Sequence, residues 1–324
     1  MQRRRLLGLA AALAAPSFAR AQPAWPSRQP IRLVATFPPG GLADTIARLI
    51  APPLGQALGA TMVVENRAGA AGTIGADLVA KSAPDGYTLL ISHSSPNGFA
   101  AGIYPQLPYD PVTDFTHIGM LVDTPSGLLV PGRSPFRSLA DFLAAGRSQT
   151  LRFGSSGIGS SGHLLGAVLA KDGSAPMLDH VPYRGSAPAL QDMLAGVIES
   201  MIDPMTTNMG MLADGTLRCL AVSSAARIPP LPSVPSFAEL GLPRLTAGNW
   251  IGISAPKNLP APIAARIGEQ IPRLIARPDL KARFEELASY PPDPPLMGED
   301  YARMIAEFAR AWTAVAKEAN IVAS

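Results

Sequence analysis

GSSGIGSSGHLLG, Gly154 to Gly166, contains the spacing G-x-G-x-x-G at Gly157-Ile158-Gly159-Ser160-Ser161-Gly162. The apolar run Leu151-Arg152-Phe153 precedes it and a helical pattern from about Gly162 to Lys171 follows, so the glycines join a strand to a helix. Such a junction suits any anion that must approach backbone N–H groups closely. A dinucleotide site would place an acid at the carboxyl end of the next strand, about 20 residues on. Asp179 has that spacing but precedes the strand His180-Val181-Pro182-Tyr183, and Arg184-Gly185-Ser186 follows it. An arginine there suits a phosphorylated ribose, so an NAD(P)-dependent oxidoreductase remains one reading. The other is a smaller anion held by amides and by the hydroxyls of Ser155, Ser156, Ser160 and Ser161, where the helix dipole favours negative charge. Helix capping alone would account for Ser160 or Ser161 taken singly.

Working outward, short apolar runs alternate with helical patterns, which predicts an α/β fold with largely parallel sheets. Strands are expected at 31–35, 62–65 and 87–92, with helices at 44–58 and 74–81 between them; Pro52-Pro53 should kink or divide the first helix. A second series follows Pro135: a helix at 138–145, the strand and helix around the quoted stretch, a strand at 180–183, a helix at 186–194, and strands at 197–202 and 217–222. Asn249 to Ser254 is then a lone strand among C-terminal helices, the last of them at 299–319 with an apolar stripe. That strand needs a sheet, and the first series offers one. The chain would leave the first unit near residue 124 and return near 247, and two such crossings make a hinge. One uninterrupted open sheet could absorb the same elements.

Arg3-Arg4-Arg5, the apolar run Leu6 to Ala15 and the small-x-small site Ala19-Arg20-Ala21 read as a signal peptide over residues 1–21, by the general secretory or the twin-arginine route. Those residues carry four arginines and no acid, so the formal charge of +3 falls to −1 in the mature chain. Nucleic acid is thereby excluded as a partner. With one cysteine, Cys219, placed in an apolar strand pattern, neither an intrachain disulfide nor a lipid-modified N-terminus is available. The 324 residues are 47% hydrophobic and 16% charged, enough apolar material for two cores, and no later apolar run is long enough to span a bilayer. A soluble, exported protein is expected, not anchored by lipid.

The first series has its own glycine junction, Phe37-Pro38-Pro39-Gly40-Gly41, followed by Asp44, which reads as a helix cap turned away from any bound anion. No serine sits in G-x-S-x-G, His163 is too close to Ser161 to act as its base, and His93, His117 and His180 lack metal-ligand spacing. Neither catalysis nor a metal or other cofactor is expected.

These junctions resemble the Bug-type periplasmic receptors of tripartite tricarboxylate transporters. The similarity runs over the mature chain: Pro30-Ile31-Arg32-Leu33, Phe37 to Gly41 with Asp44, Val63 to Ala70, Pro84 to Leu90, Leu107 to Pro111, Ser155-Ser156-Gly157 with Gly159 and His163-Leu164, and Val181 to Leu190. The resemblance implies a two-lobed clamshell of the type II periplasmic-binding-protein class, with two doubly wound mixed sheets joined by a two-crossing hinge. Lobe 1 would be residues 22–124 plus 247–324 and lobe 2 residues 125–246. Its cleft would hold a small organic carboxylate for delivery to an inner-membrane permease, the receptor acting as a periplasmic monomer. On that similarity Pro39, Gly40 and Gly41 form one jaw and Ser155, Ser160, Ser161, Gly185 and Ser186 the other, with Ser94, Ser95 and Asp203 completing the cleft. Asp44, Ser156 and Arg184 are expected at the ligand site with them. The chain departs from the family pattern at Leu42-Ala43 and Ile158, which make the cleft more apolar, at Arg184, where lysine is usual, and at Met201-Ile202, where aromatic residues are preferred.

Overall fold

The computed structural model describes residues 25–319 and residue 321. The expected leader lies outside the described residues. The chain opens with β1 (Ile31–Ala35), α1 (Leu42–Leu58), β2 (Met62–Asn66), α2 (Thr73–Ala80), β3 (Thr88–His93), a π-helical turn over Ser95–Phe99, α3 (Ala100–Ile103) and β4 (Phe115–Val122). It continues with β5 (Ser126–Pro131), α4 (Leu139–Ala145), β6 (Leu151–Ser155), α5 (Ser161–Asp172), β7 (Leu178–Pro182), α6 (Ser186–Ala195), β8 (Ser200–Pro204), α7 (Met209–Ala213) and β9 (Leu217–Val222). It ends with β10 (Ile251–Pro256), α8 (Ala261–Gly268), α9 (Gln270–Ile275), α10 (Pro278–Glu286) and α11 (Gly298–Glu318).

The strands form two five-stranded sheets, ordered β2-β1-β3-β10-β4 and β7-β6-β8-β5-β9. In each, four strands share one direction and the strand entered just after a crossing between the sheets is inserted antiparallel to both its neighbours: β10 between β3 and β4, β5 between β8 and β9. The sheets are therefore mixed, with a single reversed strand in each. The two crossings lie side by side, joined by an antiparallel bridge between Pro125 and Gly248 and by the Asn249 amide bonding to the Thr124 carbonyl at 2.8 Å.

α1 is not divided at Pro52-Pro53. Pro52 is exposed and Pro53 half-buried, so the carbonyls that lose their amide donors lie toward solvent, where water can bond them. The other face of α1 sets Ile46, Ile50 and Leu54 against Ile31, Leu33 and Ala35 of β1. The helix ends where Gly59 adopts φ +70° and Ala60 N–H bonds back to the Gly55 carbonyl. A second core gathers Phe142, Leu151, Phe153, Leu164, Leu165 and Val168.

α11 reaches both sheets. Near its start the buried Tyr301 hydroxyl meets Ser92 Oγ of β3 at 2.9 Å; toward its end Glu318 pairs with Lys171 of α5 and with Arg244. β4 and β5 were not anticipated, and β8 runs Ser200–Pro204 where a strand was expected at 197–202.

Candidate functional site

In each sheet the parallel strands end at strand-to-helix junctions, and those of the two sheets face one another. This is where α/β folds bind ligands. In the first junction Gly40 adopts φ +82°, a conformation glycine takes without strain, and its amide bonds to Asp44 Oδ2 at 2.9 Å. Asp44 also accepts Arg48 Nε and Asn66 Nδ2, each at 2.9 Å, and Asn66 Nδ2 reaches the Phe37 carbonyl at 3.0 Å. Burial pushes the Asp44 carboxyl up, but the bonds from Arg48, Gly40 and Asn66 outweigh it and hold it below the usual carboxylate range. Asp44 thus fixes the loop from behind.

The second junction is braced by two histidines. Ser160 Oγ accepts the His163 amide at 3.4 Å, capping α5, and His163 Nδ1 accepts the Gly159 amide at 3.2 Å. The His163 ring stacks on His180 with centroids 4.1 Å apart, and His180 Nε2 lies 2.7 Å from Ser155 Oγ. Desolvation pulls both imidazoles down, His163 to about 4 and His180 to about 3, so the brace is uncharged at neutral pH. In the third junction, between β7 and α6, Gly185 has φ +112° and a Cβ there would stand 3.1 Å from Pro38 of the opposite jaw. Tyr104 Oη donates to the Ile158 carbonyl at 3.1 Å. The jaws therefore touch, and Ala71 also approaches Gly159.

Between them lies a cavity of about 150 Å³. Of the residues expected there, Pro39, Gly40, Gly41, Ser95, Ser156, Ser161, Arg184, Gly185 and Ser186 line it. The other five expected residues stand behind its wall. Asp44 is engaged as described, Ser155 is turned onto His180, and Ser160 is spent on its cap. Ser94 is fully buried beside β3. Asp203 is also fully buried and accepts Ser186 Oγ at 2.7 Å, Thr207 Oγ1 at 2.8 Å and Asn208 Nδ2 at 3.0 Å. Burial pushes its carboxyl up to about 6, against the opposing pull of those three donors.

His93, Thr207, Asn208 and Leu190 also line the cavity and were missed. The signal for Thr207 and Asn208 was a polar Thr-Thr-Asn run just after a parallel strand. Beyond the Pro38–Gly185 contact a wider recess of about 640 Å³ opens outward, bordered by Ala68 to Gly72, Tyr183 and Arg184. Among the described residues no cluster of three or more His, Cys, Asp or Glu could hold a metal ion, and no helix is long and apolar enough to cross a membrane.

The tripartite tricarboxylate transporter family receptor model matches residues 46–321. The chain belongs to that family. It is 36% identical over 313 residues to the protein BugT of Bordetella pertussis, covering 95% of this chain and 93% of that one. Solved structures agree with the fold. The Rhodopseudomonas palustris protein Rpa4515 with adipate superposes at a TM-score of 0.85 with 32% identity, covering 92% of this chain and 99% of that one. MatC of the same organism with bound malate gives 0.84 and 31%, covering 89% and 99%.

Membership identifies the architecture as the clamshell of periplasmic binding proteins and the molecule as a solute-binding receptor. It also answers the glycine spacing of the second junction. Gly162 in this receptor packs its Cα against the Ile202 carbonyl, where a Cβ would come within 2.1 Å, and Asp179 lies at the opposite end of β7 from the position a ribose-binding acid requires. No dinucleotide reading is needed.

Proposed function

We propose that this receptor captures a small organic carboxylate in the periplasm and delivers it to a tripartite tricarboxylate-type permease of the inner membrane, without chemical change to the solute. The observation that carries the reading is the pairing of two glycine junctions, one per sheet, across a cavity bordered by uncommitted donors. The Ser156 and Ser161 hydroxyls and the Arg184 guanidinium line it and make no hydrogen bond within the described chain. The N-termini of α5 and α6 meet its wall, which favours an anion. The adipate and malate held by the two relatives support the same ligand class. Residues 22–124 with 247–324 would form one rigid lobe and 125–246 the other, swinging about the paired crossings near Pro125 and Gly248.

The test is a thermal-shift screen of the mature receptor against small organic acids with NADPH as a control. At least one acid should raise the unfolding temperature and NADPH should not. A shift with NADPH alone would overturn the reading.

A further inference from the structure

The ligand site can be narrowed by charge, because its wall is unevenly equipped. This step rests on the receptor reading above. Among the described residues Arg184 is the only charged side chain bordering the cavity, and no Asp or Glu borders it, since Asp44 and Asp203 stand behind. A ligand ammonium would find no counter-ion, and burying an unpaired charge is costly, so amino acids and amines fit poorly. A first carboxylate has a place on the second-sheet jaw, where Arg184 is uncommitted, α6 starts at Gly185 without a side-chain cap, and Ser161 at the start of α5 is only 3% exposed with its hydroxyl unspent.

The opposite jaw offers a second carboxylate much less. The first turn of α1 already carries the Asp44 carboxylate, Arg48 is committed to it, and the Gly40 and Gly41 amides are bonded within the loop to Asp44 and to the Pro38 carbonyl. What that jaw presents is Phe37, Pro39, Leu42 and Ala43, with Leu190 facing them from α6. Its polar contribution is neutral: the Ser95 hydroxyl, 1% exposed and unpartnered, and His93, whose imidazole desolvation pulls down to about 3. A cavity of about 150 Å³ with apolar walls accommodates a benzene-sized body.

We infer that the solute is a monocarboxylate with a compact apolar body, its carboxylate on Arg184, Ser161 and the start of α6, its body against Phe37, Pro39 and Leu42. The class is thereby separated from the dicarboxylates bound by the two structural relatives.

Calorimetric titration of the full mature receptor with benzoate, adipate, malate and phenylalanine tests this. Benzoate should bind at least tenfold tighter than the other three. Arg184→Gln, an exposed position whose change leaves the fold intact, should weaken benzoate at least tenfold. Adipate or malate binding as tightly as benzoate overturns the inference and leaves the receptor reading standing. Binding of none of the four overturns the inference, while the receptor reading stands or falls by the wider acid screen. Benzoate affinity unchanged in Arg184→Gln overturns the placement of the carboxylate.

Discussion

Four imidazoles sit where burial, full or partial, weakens the solvation of their charged forms. Desolvation pulls His93 and His180 down to about 3 and His117 and His163 to about 4. Each native pKa lies below the unfolded value of about 6.5, so the unfolded chain takes up the proton first as pH drops. Their stabilising effect is complete above about pH 6.5 and is lost as pH falls toward the native values. Asp123, buried at the first crossing with Oδ1 unpartnered, and Asp203 work the other way: burial raises both to about 6, so between about pH 6 and pH 4 the native chain holds the extra proton. Four groups against two leaves acid destabilising. Chemical denaturation is expected to show a falling midpoint from about pH 7 to about pH 5. In Asp123→Asn the fall should steepen by about 1.4 kcal/mol per pH unit between about pH 6 and pH 4, because one opposing proton is removed. Parallel wild-type and variant profiles would mean that Asp123 titrates as in the unfolded chain.

Among the elements, α5 shows how one glycine spacing can serve a turn and close packing together. Gly157 and Gly159 turn the chain at φ +134° and +88°, whereas Gly162 and Gly166 lie in the helix and admit close contact with β8 and with the Phe153 ring of β6. At Gly162 the obstruction is the Ile202 backbone carbonyl, which cannot swing aside, so Gly162→Ala should cost about 1–3 kcal/mol. Gly210 in α7 has an ordinary φ and open space where a methyl would project, with no atom within 4 Å, so Gly210→Ala should add about 0.5–1 kcal/mol. Opposite shifts in denaturation midpoint check the pair.

The strands were unevenly legible for related reasons. β1, β3 and β10 are short apolar runs bounded by turn residues, and the isolation of β10 among helices revealed that it must return to an earlier sheet. β4, Phe115 to Val122, is buried along nearly its whole length and carries His117 and Gly119 inside it. Gly119 is there because Met297 packs onto its Cα, a contact from α11's approach that no local pattern announces. β5 is a short run beginning Ser126-Gly127, where Met205 and Cys219 press on the glycine. The proline pair in α1 misled for a similar reason: its cost depends on which face meets solvent, and the tertiary structure decides that.

At the scale of the whole molecule, the cavity wall was legible where glycine geometry forms it and illegible where side-chain direction does. Pro39 to Gly41 and Gly185 reach the cavity because their loops need positive φ or small size, while Ser155 and Ser160 sit one bond pattern away from it, turned onto His180 and the start of α5. What sequence could not carry at all is the fit between jaws. Ligand can drive closure only to the extent that it binds the closed form better, so contacts between the jaws set how much of that differential affinity is needed. The Tyr104 hydroxyl on the Ile158 carbonyl is such a contact, joining the segment after α3 to the glycine loop before α5. A half-buried neutral hydrogen bond contributes about 0.5–1.5 kcal/mol. Tyr104→Phe keeps the ring beside Gly159 while deleting the donor, so the closed form should lose that amount and apparent ligand affinity should drop about 2- to 10-fold. Small-angle scattering of the ligand-free variant should show a larger radius of gyration than wild type, and saturating ligand should restore the wild-type value. An unchanged radius with weakened binding would place the hydroxyl's effect on the solute and not on closure.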